Sequence, residues 1–318
     1  MSFESKGLRE RGKIFKIFSS SLRIMYQNNL IPSWIDYVED SYICPICLKC
    51  FSIDYISTSS SNMLTLEDAP PKKLGGKANV LTCKQCNNFC GYSIDKHLVH
   101  RIKDIDTRSF KSASSNIKVR KNELETKGIL KINETGELKI QHSIRNNHPE
   151  RLINFISSIS KDDTIEIEFI TQKINIHLLE VAILKTAYIL AFEKFGYALI
   201  FNESYNIVRE QILNPTEKKY PKGFWTIQSS FDKQSTGTYL INNNKYQGIY
   251  SIFELSYNHS SVFIGAYLPV KIELTDYIVF LLRNIEPGFK LQLDKFMNID
   301  LINNEYNLLN FYYVLNYL

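Results

Sequence analysis

No run of apolar residues in this 318-residue chain is long enough to cross a bilayer as a helix, which takes about 20 in succession. The longest stretch, around Val181–Phe192, carries Lys185 and is bounded by Glu180 and Glu193. The opening residues, Met1-Ser-Phe-Glu-Ser-Lys, have no apolar core and no small-residue cleavage site, so no secretory leader is expected. A cytoplasmic protein with no membrane partner is the expectation. Cysteine is scarce, six residues in all, which argues against a disulfide scaffold. The patterns G-x-x-x-x-G-K-[ST], G-x-S-x-G and H-E-x-x-H are missing, which removes the P-loop site, the nucleophile elbow and the two-histidine zinc helix. Internal repeats are missing too. His142, His148, His177 and His259 are scattered and form no local motif.

What remains is an ordinary globular composition, 44 % hydrophobic and 22 % charged, on a chain long enough for two domains. The net charge of +5 is unevenly placed. Residues 1–30 hold six Lys/Arg against two acids, and residues 101–145 hold eleven against six. The positive excess flanks residues 31–100 on both sides, a distribution that suits a polyanion as well as a solvated surface.

Periodicity divides the chain into four parts. Residues 1–40 form a helical N-terminal arm, with Ile14, Phe18, Leu22 and Met25 on one face of a helix over 12–28 and a short second helix at Trp34–Val38. This arm either packs on the body or touches nucleic acid or membrane. Residues 41–103 hold the cysteines, with a helix expected over Ser93–Lys103. Residues 104–148 form a basic connection with a hairpin at Ile129–Gln141, turned by Asn133-Glu-Thr-Gly136. Residues 149–318 form a C-terminal domain mixing helices with an antiparallel sheet. Its elements are a helix over Glu150–Ser160, a strand over Thr164–Thr171, and a buried helix over Leu178–Phe195 ended by Gly196. Strands are expected at Gly237–Ile241, Tyr246–Tyr257, Val262–Val270 and Tyr277–Arg283. The fold class is α+β.

Two C-x-x-C pairs, Cys44/Cys47 and Cys83/Cys86, carry the chemistry. Four thiolates at this spacing close a tetrahedral Zn²⁺ site that is structural, because no ligand position stays open. Cys50 and Cys90 are left over; Cys44-x-x-Cys47-x-x-Cys50 offers a choice of ligand, and both also fit as small buried or surface thiols.

Between the pairs runs Leu64-Thr-Leu-Glu-Asp-Ala-Pro-Pro-Lys-Lys-Leu-Gly-Gly-Lys-Ala-Asn-Val-Leu-Thr, leading into Cys83-Lys-Gln-Cys86-Asn87-Asn88. This segment resembles the HNH endonucleases, the zinc-stapled ββα-metal fold, over about residues 42–103. Glu67 falls at the acidic position and Asp68 at that of the family's first His. Pro71 and Gly75-Gly76 match the loop, Asn79 the middle Asn, and Asn87 the last His/Asn.

The resemblance implies metal-dependent cleavage of DNA, in bacterial restriction or anti-phage defence. Lys72, Lys73, Lys77 and Lys84 would then contact flanking phosphates. An unperturbed Asp, with a pKa of about 3.9, is a weak base at neutral pH where imidazole is a good one. Three arrangements follow. Glu67, Asp68 and Asn87 together hold a catalytic Mg²⁺ or Mn²⁺ that activates the water. Alternatively the base comes from His97, His100 or Tyr92. Or catalysis is lost, and the zinc-stapled shape binds nucleic acid or a protein partner. The C-terminal domain, in which no catalytic set is evident, is open to reading DNA, sensing a ligand or binding a protein partner.

Overall fold

The computed structural model describes residues 6–57, 59, 61–109, 113–243, 246–269, 294–295, 302 and 304–317. The fold is mixed α+β with antiparallel sheets, as the patterning implies. No helix among the described residues is long and apolar enough to cross a membrane. The chain forms two compact units, one of residues 1–98, 175–255 and 262–318, the other of residues 99–174 and 256–261. Residues 149–174 thus belong to the second unit, while most of 175–318 belongs to the first.

The first unit opens with α1 (Lys6–Gln27), which starts a full turn before Gly12. Phe15, Phe18, Leu22 and Met25 recur at helical spacing and are buried, while Lys13 and Lys16 face out. The short helix expected at Trp34–Val38 does not form. Pro32 leads into a turn closed by Ile35 N–H donating to its carbonyl at 3.0 Å. Next come β1 (Tyr42–Ile43) paired with β2 (Cys50–Phe51), then β3 (Leu64–Ala69) paired with β4 (Lys77–Cys83). Helix α2 (Lys84–Cys90) follows without a break, and a π-helical turn, Gly91–Asp95, links it to α3 (Lys96–Arg108). The helix therefore begins nine residues before Ser93.

The β3–β4 hairpin depends on its two glycines. Gly75 sits at φ +86°, a conformation that favours glycine. A Cβ on Gly76 would lie 1.5 Å from the Pro70 carbonyl oxygen, so no larger residue fits there. Further along, the register slips between Glu67 and Asp68: Glu67 faces Val80 while Asp68 faces Ala78, which makes Asn79 the extra residue of a bulge. Such bulges re-aim neighbouring side chains.

Helix α5 (Ile176–Phe195) is the centre of this unit. It is apolar all round, as a helix must be to sit inside a core. The Asn175 side chain caps it by accepting from Leu178 N–H, and Gly196 at φ +60° ends it, as expected. Phe18 of α1 stacks on Phe192 with centroids 4.8 Å apart. Buried tyrosine hydroxyls tie the first cysteine turn and its strand to this helical layer and to β4. Tyr188 donates to the Pro45 carbonyl at 2.7 Å, Tyr197 accepts from Ile43 N–H at 2.9 Å, and Tyr42 donates to the Leu81 carbonyl at 2.7 Å. Each pairs a backbone group that would otherwise be buried unpaired. After α6 (Tyr197–Ile200) and α7 (Asn206–Leu213) comes a five-stranded sheet. Its strands are β9 (Trp225–Ile227), β10 (Gly237–Asn243), β11 (Tyr246–Tyr257), β12 (Ser260–Pro269) and β13 (Asp294–Lys295), in the order β13-β10-β11-β12-β9. The β11–β12 tip belongs to the second unit. The strand expected at Tyr277–Arg283 lies outside the described residues. Helix α8 (Glu305–Tyr317) stacks Phe311 on Phe195, centroids 4.4 Å apart.

In the second unit β5 (Ala113–Lys121), β6 (Leu124–Ile132), β7 (Leu138–His142) and β8 (Glu166–Phe169) form a sheet in the order β7-β6-β5-β8. One face is covered by α4 (Pro149–Ser158), which buries Phe155 against Ile117, Val119, Leu130 and Ile132. The Asn133–Gly136 turn forms as expected, with Gly136 at φ +82° donating its N–H to the Asn133 carbonyl at 3.0 Å.

Candidate metal centre

The two C-x-x-C pairs meet because each sits at a strand end in the same unit. Cys44 follows β1, and Leu48, at φ +58°, lets the chain reverse so that its N–H donates to the Cys44 carbonyl at 2.9 Å. Cys83 ends β4 and Cys86 lies in the first turn of α2. The sulfurs of Cys44, Cys47, Cys83 and Cys86 all lie within 4.8 Å of one another, with Cys47 and Cys83 3.8 Å apart. Four sulfurs about 2.3 Å from a tetrahedral Zn²⁺ would stand about 3.8 Å apart, so the donor set and its spacing fit a metal ion such as zinc. Cys44, Cys83 and Cys86 are buried and Cys47 half-buried. Cys83 N–H also donates to the Cys44 sulfur at 3.4 Å, the kind of contact that settles charge on a thiolate. As bare thiols the four are close enough to interact, and hydrogen bonds from Cys44, Cys47 and Cys86 lower the Cys83 thiol below the ordinary range. Burial pushes Cys44 well above it.

Cys50 and Cys90 stand outside this set. Cys50 donates to the Ser41 hydroxyl at 2.8 Å. Cys90 is buried, and burial pushes its thiol up.

The carboxylates are arranged differently from the expectation. Glu67 and Asn87, expected to share an ion with Asp68, are each ion-paired or hydrogen-bonded within the protein. Glu67 is 2 % exposed and turns inward, where Oε1 lies 2.6 Å from the Lys185 ammonium and Oε2 accepts from the Thr82 hydroxyl at 2.8 Å. Lys185, from the middle of α5, also lies 2.7 Å from Asp95 Oδ2. Burial opposes the ammonium charge, but Asp95 and Glu67 outweigh it and hold the Lys185 pKa well above the ordinary value. Burial pushes the Glu67 carboxyl up, against the pull of Lys185. A charged lysine therefore stands where a divalent cation at Glu67 would have to sit. Asn87 donates its amide to the Thr65 hydroxyl at 2.9 Å and the Leu66 carbonyl at 3.0 Å, which pins α2 to β3. Among the described residues, the four cysteines are the only His, Cys, Asp or Glu groups, three or more together, close enough to share an ion. The residues around Glu67 do not fit Mg²⁺ or Mn²⁺.

Asp68 is half-buried, and burial raises its carboxyl while Lys72 and Lys185 pull it down. His97 is buried, and its Nδ1 accepts from Asn175 N–H at 3.3 Å, immediately before α5. It is thus part of the α5 N-terminus. Asn79, freed from the ladder by the bulge, donates to Glu193 Oε1 at 2.8 Å. Lys72 and Lys73 lie on the 3₁₀ turn after Pro71, Lys77 opens β4, and Lys84 opens α2; all four are exposed. Around the hairpin the exposed charge is positive and the one fully buried acid is neutralised from within.

Sequence reasoning passed over Lys185 and Asp95. The signal was present: a lysine flanked by Ile183-Leu184 and Thr186-Ala187 within an apolar helix must be buried, and a buried lysine takes a carboxylate partner. Compared with family models, with curated proteins and with solved structures, the chain matches none.

Proposed function

We propose that residues 41–103 act as a zinc-stapled, HNH-like ββα module that binds nucleic acid through its phosphates and works without a divalent ion at Glu67. The observation that carries this reading is Lys185 held between Glu67 and Asp95 at 2.6 and 2.7 Å. Its ammonium supplies from inside the protein the positive charge that a bound metal would supply. Zn²⁺ at Cys44, Cys47, Cys83 and Cys86 contributes no chemistry, since four thiolates complete its shell; it fixes α2 against the hairpin. Lys72, Lys73, Lys77 and Lys84 then bracket the hairpin as phosphate contacts, which give affinity and salt dependence without sequence preference. DNA is the partner that the HNH resemblance favours, with defence against foreign DNA as the setting.

A second reading is favoured by Asp68, whose half-buried carboxyl is raised by burial and lies near enough to Lys72 to feel its charge. In that reading Asp68 takes the proton of an attacking water while Lys72 steadies the phosphate.

The test is fluorescence anisotropy with a labelled duplex, alongside incubation of supercoiled plasmid with Mg²⁺ or Mn²⁺. Salt-sensitive binding that the Lys72→Gln/Lys73→Gln/Lys77→Gln/Lys84→Gln variant loses, with the plasmid left intact, supports the binding module. Nicking that Asp68→Ala abolishes supports cleavage instead. No binding at low salt defeats both.

A further inference from the structure

The side of the β7-β6-β5-β8 sheet that α4 leaves uncovered carries an unusual charge arrangement. Side chains alternate between faces along a strand. With Ile117, Val119, Leu130 and Ile132 in the core, the opposite face presents Lys118 and Arg120 of β5, Glu125, Lys127 and Lys131 of β6, Lys139 of β7, and Glu166 and Glu168 of β8. Lys118 stands directly across from Lys127, and Lys131 directly across from Lys139. Like charges in directly opposite positions destabilise a sheet, so folding alone does not account for two such pairs. The acids gather at one side, where Glu125 and Glu168 lie 2.7 and 2.9 Å from Arg120, and Glu125 also lies 3.7 Å from Lys118. Lys127, Lys131 and Lys139 are exposed on the other side and form no ion pair among the described residues. Among the described residues no aromatic side chain shares the face, so these strands offer no platform for stacked bases.

We infer that this sheet face binds the phosphate backbone of a nucleic-acid strand, with Lys127, Lys131 and Lys139 as the contacts. A row of phosphates between the facing lysines turns their mutual repulsion into shared attraction. The inference takes its class of partner from the nucleic-acid reading above but rests on separate residues.

The experiment measures, by anisotropy and across a salt series, the affinity of the full chain for a labelled single-stranded oligonucleotide. The Lys127→Gln/Lys131→Gln/Lys139→Gln variant is expected to lower the slope of log K against log salt by about 2, and to weaken binding roughly a hundredfold at 0.1 M salt. Its melting temperature is expected to hold or rise, because repulsive pairs are removed. Unchanged slope and affinity overturn the inference. So does a variant that loses phosphatidylserine vesicles but keeps the oligonucleotide. If the Lys72/Lys73/Lys77/Lys84 variant loses binding while the sheet variant keeps it, the sheet proposal fails and the module reading stands. The reverse pattern supports the sheet, and the module reading then stands or falls on the duplex measurement.

Discussion

The Lys185 ammonium lies 2.6 Å from the Glu67 carboxylate, 118 positions earlier in the chain, with both side chains at 3 % exposure or less. An apolar helix and a two-stranded hairpin are thereby joined through charge in a place where neither charge has access to water.

Breaking that pair from one side is expected to be costly. Lys185→Met leaves Glu67 and Asp95 buried without their cation, and urea unfolding should show a loss of about 3–5 kcal/mol. Adding Glu67→Gln to Lys185→Met should recover part of it, because one of the two stranded charges is removed. A double variant no more stable than Lys185→Met would show that the pair is not coupled.

The same site should give stability a pH dependence. Lys185, Asp95, Cys90 and Tyr42 all act on, or are acted on by, Glu67, and burial leaves its carboxyl raised. A raised folded-state pKa means that the folded protein holds this proton more tightly than the unfolded chain. The contribution is complete below the unfolded value of about 4.3 and is lost as pH rises through the folded value. Relative to Glu67→Gln, the wild type should therefore be most stable near pH 4 and lose ground toward neutrality. Denaturant melts of both proteins across that range provide the check; a difference that stays flat or grows with pH contradicts it.

Metal removal should be felt throughout the first unit. A ligand at a thousand times its dissociation constant stabilises by about 4 kcal/mol, which for a chain of this size corresponds to a fall in Tm of roughly 10 °C when a chelator strips the site. Cys83→Ser should melt as the stripped wild type does and respond little to chelator. Metal analysis should find one ion per chain in the wild type, and Cys50→Ser should retain it, since the Cys50 sulfur bonds Ser41 and lies outside the cluster.

Two glycines with positive or crowded geometry should respond unequally. Gly76→Ala places a methyl 1.5 Å from the Pro70 carbonyl oxygen, so the hairpin backbone must move, at a cost of about 3 kcal/mol or more. Gly136, at φ +82°, has open space around it, so Gly136→Ala should cost only about 1 kcal/mol of backbone strain. Equal effects in thermal melts would mean that the Pro70 contact does not constrain the loop.

Local signals were legible in the sequence. C-x-x-C spacing, the Asn133–Gly136 turn and the Gly196 stop each depend on a few adjacent residues, and each forms where expected. The start of the helix after Cys83 was misplaced at Ser93, beyond Gly91. A π-helical turn absorbs them, and the helix runs through. The acid at Glu67 was legible as a position but not as an environment. Its partners Thr82, Asp95 and Lys185 come from three other elements, and nothing in the spacing of Glu67-Asp68 tells which of the two turns inward. The register slips beside Asn79 at this point, and a bulge has no sequence mark as clear as a cysteine pair. The surroundings of His97 were hidden for a related reason: its partner, Asn175, is 78 positions away.

The tyrosine hydroxyls around the first cysteine turn limit how this protein can be divided. A gene fragment encoding residues 41–103 would contain every thiolate of the metal site. It would lack Tyr188 and Tyr197, which satisfy the backbone at Pro45 and Ile43, and Lys185, which neutralises Glu67. Such a fragment could hold its ion and still fail as a domain. The zinc segment is therefore not a portable cassette: recombination that moved it alone would separate the ligands from the helix that completes their interior.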